Sequence, residues 1–210
     1  MHPEHHGNAP AGGDNGAGSL ERAWSLPVLG SDTLPGGLLS AALAFWRRLK
    51  PETGGLPGFD GFDPRQLPPS VLPHAALLGG FDAEGRVRGL FLGTVAAMHA
   101  GAELAGHRLD ELYPPATYAR VEQTLRTVEI LRRPVLASVS FGVDGVRLLD
   151  SDRLCLPFQG ADGAIAGFVV VMDYRPTDAG RAQPLKLLGD APELLRCDLF
   201  RVMLRRASQE

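Results

Sequence analysis

The chain has 210 residues, 44% of them hydrophobic and 21% charged, with a formal net charge of −3. That apolar share supports a real core, and the balance of charge excludes bulk attraction to nucleic acid or to an anionic membrane surface. The two cysteines, Cys155 and Cys197, are too few for a zinc-finger set and do not resemble a secreted disulfide scaffold.

The N-terminus shows no basic segment followed by an apolar one, so it does not read as a signal peptide. The longest apolar stretches, Gln66–Phe81 and Gly89–Ala102, fall short of the roughly 18–20 residues that cross a bilayer. A cytoplasmic protein without membrane insertion is the expectation.

Residues 1–34 are rich in Gly, Ala, Pro, Asp and Asn and lack periodicity, which predicts a disordered tail. Its His2, His5 and His6 sit on a flexible chain without the supporting shell of a specific metal site, so no metal is expected there. Residues 35–73 read as a helix and a linker. The helix is predicted over Leu38–Leu49, with Leu39, Ala42, Leu43, Trp46 and Leu49 on one face at three- and four-residue steps. The linker Thr53–Pro73 is rich in turn residues, with Asp63-Pro64 as the cap and first position of a short helical turn.

Strands and short helices follow over residues 74–175. Ala75–Phe81 and Arg86–Gly93, joined by a turn at Asp82–Gly85, read as a hairpin. Thr94–Ala100 is short and apolar. Pro114 and Pro115 open a long helix whose buried stripe is Tyr118, Val121, Leu125 and Val128, with Arg120, Gln123 and Glu129 pointing away; Arg132, Arg133 and Pro134 close it. Val135–Val143 alternates like a strand with one face buried. Arg147–Phe158 places Leu154, Leu156 and Phe158 on one face, and Asp150 and Asp152 predict a bulge or loop of solvated residues. Ile165–Tyr174 is apolar throughout, the signature of a central strand covered on both faces. Residues 176–210 form a tail in which Asp190 caps a predicted amphipathic helix to about Arg206, with Leu195, Leu199, Val202 and Met203 on one side.

An ordered set of motifs carries a resemblance. It comprises Phe45-Trp46-Arg47-Arg48-Leu49, Leu56-Pro57, Phe62-Asp63-Pro64, Leu67-Pro68, Leu72-Pro73, Leu92-Gly93-Thr94, the stretch Leu104–Pro114 and Leu154-Cys155-Leu156-Pro157-Phe158. Together these resemble a PAS-like family of alphaproteobacterial single-domain proteins, over about Ala41 to Arg175. Within the set, Gly106–Leu112 carries the Gly-x-Arg-Leu-x-Glu-Leu element of PAS domains broadly. In that family a basic residue often precedes the Gly-Thr of the second strand; here Leu90 and Phe91 stand in its place. The resemblance implies an α+β fold: a PAS-like five-stranded antiparallel sheet with helices on one face, plus flanking N- and C-terminal helices.

The function it implies is a sensory or signalling module without its own output domain, acting through a small-molecule ligand, a protein partner, or both. The alternatives are a purely structural interaction domain and a small cavity-type α+β enzyme. The interior between sheet and short helices is the expected pocket, lined by Thr94, Met98, His99, Tyr118, Val139, Phe141, Leu154 and Met172. Leu39, Leu43 and Trp46 are the candidate interface, serving either the chain's own sheet or a homodimer. The sequence specifies no cofactor: His99 reads as an ordinary histidine rather than a haem ligand, and neither cysteine is placed for flavin photochemistry. No catalytic set is assigned, since no nucleophile elbow and no HExxH spacing occurs. The short clusters Arg132-Arg133 and Arg205-Arg206 lack aromatic interleaving, so no nucleic-acid partner is expected.

Overall fold

The structure, a computed structural model, describes residues 34, 37–100, 103–143, 146–182 and 201–203. The predicted N-terminal tail therefore lies outside the described residues, apart from Leu34.

Helix α1 (Gly37–Arg48) forms where the apolar spacing places it, and it leads through two 3₁₀ turns into strand β1 (Ala75–Gly79). In the first of those turns the Asp63 carboxylate accepts the Arg65 backbone N–H at 2.9 Å, ahead of Pro64. Strand β2 (Gly89–Leu92) pairs with β1 across a turn in which Asp82 Oδ1 accepts the Arg86 N–H at 2.7 Å. Helices α2 (Thr94–Ala100), α3 (Leu109–Leu112) and α4 (Pro115–Leu131) follow, then strands β3 (Val135–Val143), β4 (Val146–Gln159) and β5 (Ile165–Pro176). Helix α4 ends at Arg132, which caps it in the left-handed region at φ 51°. A short helix α5 (Asp178–Ala182) and strand β6 (Arg201–Met203) complete the described elements.

The strand order is β2-β1-β5-β4-β3-β6, antiparallel throughout. Central β5 is apolar because both its faces are covered. Its Val169 and Val171 pack with α1, and its Phe168, Val170 and Met172 pack with α2, α3 and α4. The sheet thus separates two cores. On one side Leu39, Leu43 and Trp46 of α1 lie buried over Leu154, Leu156 and Phe158, with the Trp46 indole N–H donating to the Pro157 carbonyl at 2.8 Å. Phe59 reaches under β5, where a side chain at Gly167 would overlap its ring.

Two expectations need correction. Strand β4 runs through Asp150 and Asp152 without a bulge; in the β3–β4 pairing the register shifts at Phe141/Gly142 instead. The aspartates are carried by cross-strand partners. Ser140 Oγ donates to Asp150 at 2.7 Å, and Asp152, 4% exposed, accepts from the Ser138 hydroxyl and from Arg175 at 2.8 Å. The second concerns the predicted C-terminal helix. Arg201–Met203, within its span, form a strand on the edge of β3, and the rest of that span lies outside the described residues. A sheet edge offers open backbone donors and acceptors, and pairing them outweighs a helical pattern.

Among the described residues no helix is long and apolar enough to cross a membrane.

Candidate functional site

The helical face of the sheet does not close completely. A cavity of about 90 Å³ remains between β1, β3, β4 and β5 on one side and α2, α3 and α4 on the other. Strand alternation decides which side chains reach it. Ala76 and Leu78 of β1, Ala137 and Val139 of β3, Arg153 and Cys155 of β4, and Val170, Met172 and Tyr174 of β5 form the floor. The roof is Ala96 and Ala100 of α2, Leu109 of α3, and one face of α4 that carries Thr117, Arg120, Val121, Thr124 and Leu125.

Gly89 helps hold that roof in place. A Cβ there would overlap the Leu104 carbonyl oxygen, so only glycine lets the segment before α3 cross so close to β2. The crossing is fixed by backbone bonds from Gly89 N to His107 O and from Gly106 N to Gly89 O, both 2.9 Å, and from Leu109 N to Val87 O at 2.9 Å.

The polar groups around the cavity have defined environments. The Tyr174 hydroxyl contacts Met172 Sδ at 3.1 Å, and its ring stacks on His99 with centroids 4.2 Å apart. Burial pushes the Tyr174 phenol up to about 12, against the opposing pull of Arg153. Burial likewise pushes the Cys155 thiol up to about 12, again opposed by Arg153, which leaves a protonated, unreactive sulfur. His99 is held below the usual histidine range by burial and then by the charge of His74.

The structure brings only part of the predicted lining together. Val139 and Met172 stand in the wall. Leu154 does not: it is fully buried on the other face with α1, in step with Leu156 and Phe158 as β alternation requires. Thr94 is exposed at the start of α2, and Met98 is 63% exposed on its outer side. His99 lies outside the wall against Tyr174. Tyr118 packs into the same core but not the wall, and among the described residues its buried hydroxyl has no hydrogen-bond partner. Phe141 pairs with Leu149 through the backbone, and its side chain lies outside the described residues. The candidate interface residues Leu39, Leu43 and Trp46 are buried in the chain's own core, so a dimer through that stripe would require α1 to leave the sheet.

Sequence reasoning missed Arg120, Arg153, Tyr113 and Tyr174, which all line the cavity. It set Arg120 on the outer face of α4 because it traced the stripe through apolar residues alone. The available signal was position: residues 117, 120, 121, 124 and 125 share a face at helical spacing.

A second depression of about 350 Å³ lies between the ends of α1 and α4. It is lined by Leu43, Trp46 and Leu56 and by the cations Arg47, Lys50, Arg132 and Arg133, and the Lys50 ammonium sits 5.5 Å from the Trp46 ring centroid.

No curated protein matches the chain. The PAS domain family matches residues 38–172, a span that opens in α1, closes in β5 and includes the cavity, and the chain belongs to that family.

Proposed function

We propose that the chain is a non-catalytic, cytoplasmic sensory or signalling module that holds a small ligand in the cavity between its sheet and α2–α4. The observation that carries this reading is the cavity itself, lined by mostly apolar walls with a few polar groups converging on it, the usual character of a small-molecule site. The path outward is short. In β5, Val170 and Met172 face the cavity while Val169 and Val171 face α1, so a shift of the strand moves both layers. A ligand acts through such a path only if it binds one arrangement better than the other.

Native mass spectrometry of the chain purified from a bacterial host, with a fragment screen by thermal shift, tests the reading. A small non-covalent mass, or fragments that raise the melting temperature and lose that effect when the cavity is filled by substitution, is expected. A bare polypeptide that no fragment stabilises would refute it.

The basic depression favours a second role beside the first, an interaction surface for an acidic protein segment. Among the described residues four cations line it and no carboxylate does. Binding of an acidic peptide that weakens with salt and is lost in R47E/R133E would support this role; binding indifferent to both would reject it.

A further inference from the structure

We infer that the ligand of this cavity is an anion, and that the class it takes is a short-chain monocarboxylate held by Arg120, with the charge of Arg153 on the opposite wall favouring it. The inference rests on the reading of the cavity as a binding site and names its occupant.

Two arginines reach the cavity from opposite walls, Arg120 from α4 and Arg153 from β4. Among the described residues no aspartate or glutamate lines it. Arg120 is half-buried, and among the described residues it makes no ion pair; the carboxylates of Asp110 on α3 and of Glu122 and Glu129 on α4 pair with Arg108 and Arg126. A guanidinium keeps its proton at any relevant pH, so Arg120 presents a full positive charge and forked donors at the cavity wall, which favours an anion there. The charge of Arg153 is felt within the same space, since it opposes the burial of both Cys155 and Tyr174. Planar, forked donors suit a carboxylate in particular. Thr117 and Tyr113 add hydroxyls to the wall.

The rest of the lining decides the other end of the ligand. Ala76, Ala96, Leu104, Val170 and Met172 offer only carbon and sulfur, so the body of the ligand is apolar. Size sets its length. About 90 Å³ is less than the roughly 150 Å³ of an apolar cavity known to take benzene, which leaves room for a chain of about two to four carbons. So few atoms limit affinity to the micromolar range or weaker.

Calorimetric titration with propionate and with propionamide tests this, because the amide keeps the shape and lacks the charge. Propionate should bind at least about tenfold more tightly than propionamide. R120M should weaken propionate about 10- to 100-fold, the loss of one charged hydrogen-bonding partner, and leave propionamide within about threefold; R120K should recover part of the loss. If the amide binds as well as the acid, or R120M leaves propionate unchanged, the anion inference fails while the cavity reading stands. If neither probe binds and no fragment of the thermal-shift screen does, both fail. Should R120M not fold, the wild-type acid and amide pair decides the question alone.

Discussion

Filling the cavity from its floor tests whether the space between the sheet and α2–α4 is free. Ala137 is 3% exposed on β3 and stands in the cavity wall, between Val135 and Val139 on the same face of the strand. Ala137→Val adds two carbons at a site where β-branching is favoured. If the space is free, each buried carbon contributes about 0.8 kcal/mol, so the gain is about 1.6 kcal/mol at most. At about 3 °C per kcal/mol for a unit of this size, that is a rise of about 5 °C in melting temperature. If the space is not free, overpacking costs about 1–3 kcal/mol and the melting temperature falls by about 3–9 °C. Differential scanning calorimetry reads the sign directly. Propionate titration of the same variant should show binding lost or greatly weakened. A fall in melting temperature with propionate binding intact would refute the placement of the ligand.

Other predictions follow from the two cores and the titrating groups. Trp46→Ala should cost about 3–5 kcal/mol for the side chain and about 1 kcal/mol more for the indole bond to Pro157, seen as a lowered denaturant midpoint; Trp46→Phe should restore most of the packing and not the bond. Asp152→Asn should cost about 1–2 kcal/mol, less than a fully buried pair because Arg175 is 47% exposed; an unchanged midpoint would mean the Ser138–Asp152–Arg175 contacts carry no net stability. Stability should fall in alkali. Cys155 and Tyr174 bind their protons more tightly folded than unfolded, so their contribution is whole below the ordinary values of 9.0 and 10.0 and is lost as pH rises toward about 12. It should also fall in acid. His99 is depressed from 6.5, so its contribution is present above that pH and declines as pH drops through the folded value. A melting temperature flat from pH 5 to 11 would contradict both. Cys155 should resist a thiol reagent at pH 8 until the chain is unfolded, and reaction at the rate of a free thiol would contradict its burial.

The elements that local pattern determines were legible in the sequence. The spacing of Leu39, Leu43 and Trp46 places α1, the paired prolines at 114 and 115 open α4, and the continuous apolar run of β5 marks it as central. What was not legible depends on partners distant in sequence. Asp150 and Asp152 look like turn residues until register sets Ser140 and Ser138 across from them. Arg201–Met203 reads as helix until the open edge of β3 is known to be there. The cavity lining was the least legible part, because Arg120 and Arg153 are charged residues and only their helical and strand positions, not an apolar pattern, place them in its wall. Leu154 was the reverse error: its own alternation with Leu156 and Phe158 already set it beneath α1.

The most direct test of the account is a methyl-resolved NMR titration with propionate. The account predicts that the methyls of Ala76, Ala96, Ala137 and Val170 shift most and saturably, and that Leu39, Leu43 and Val171 on the α1 side show smaller shifts on the same binding curve. Shifts confined to exposed methyls, with the cavity set unmoved at saturation of the probe, would contradict it.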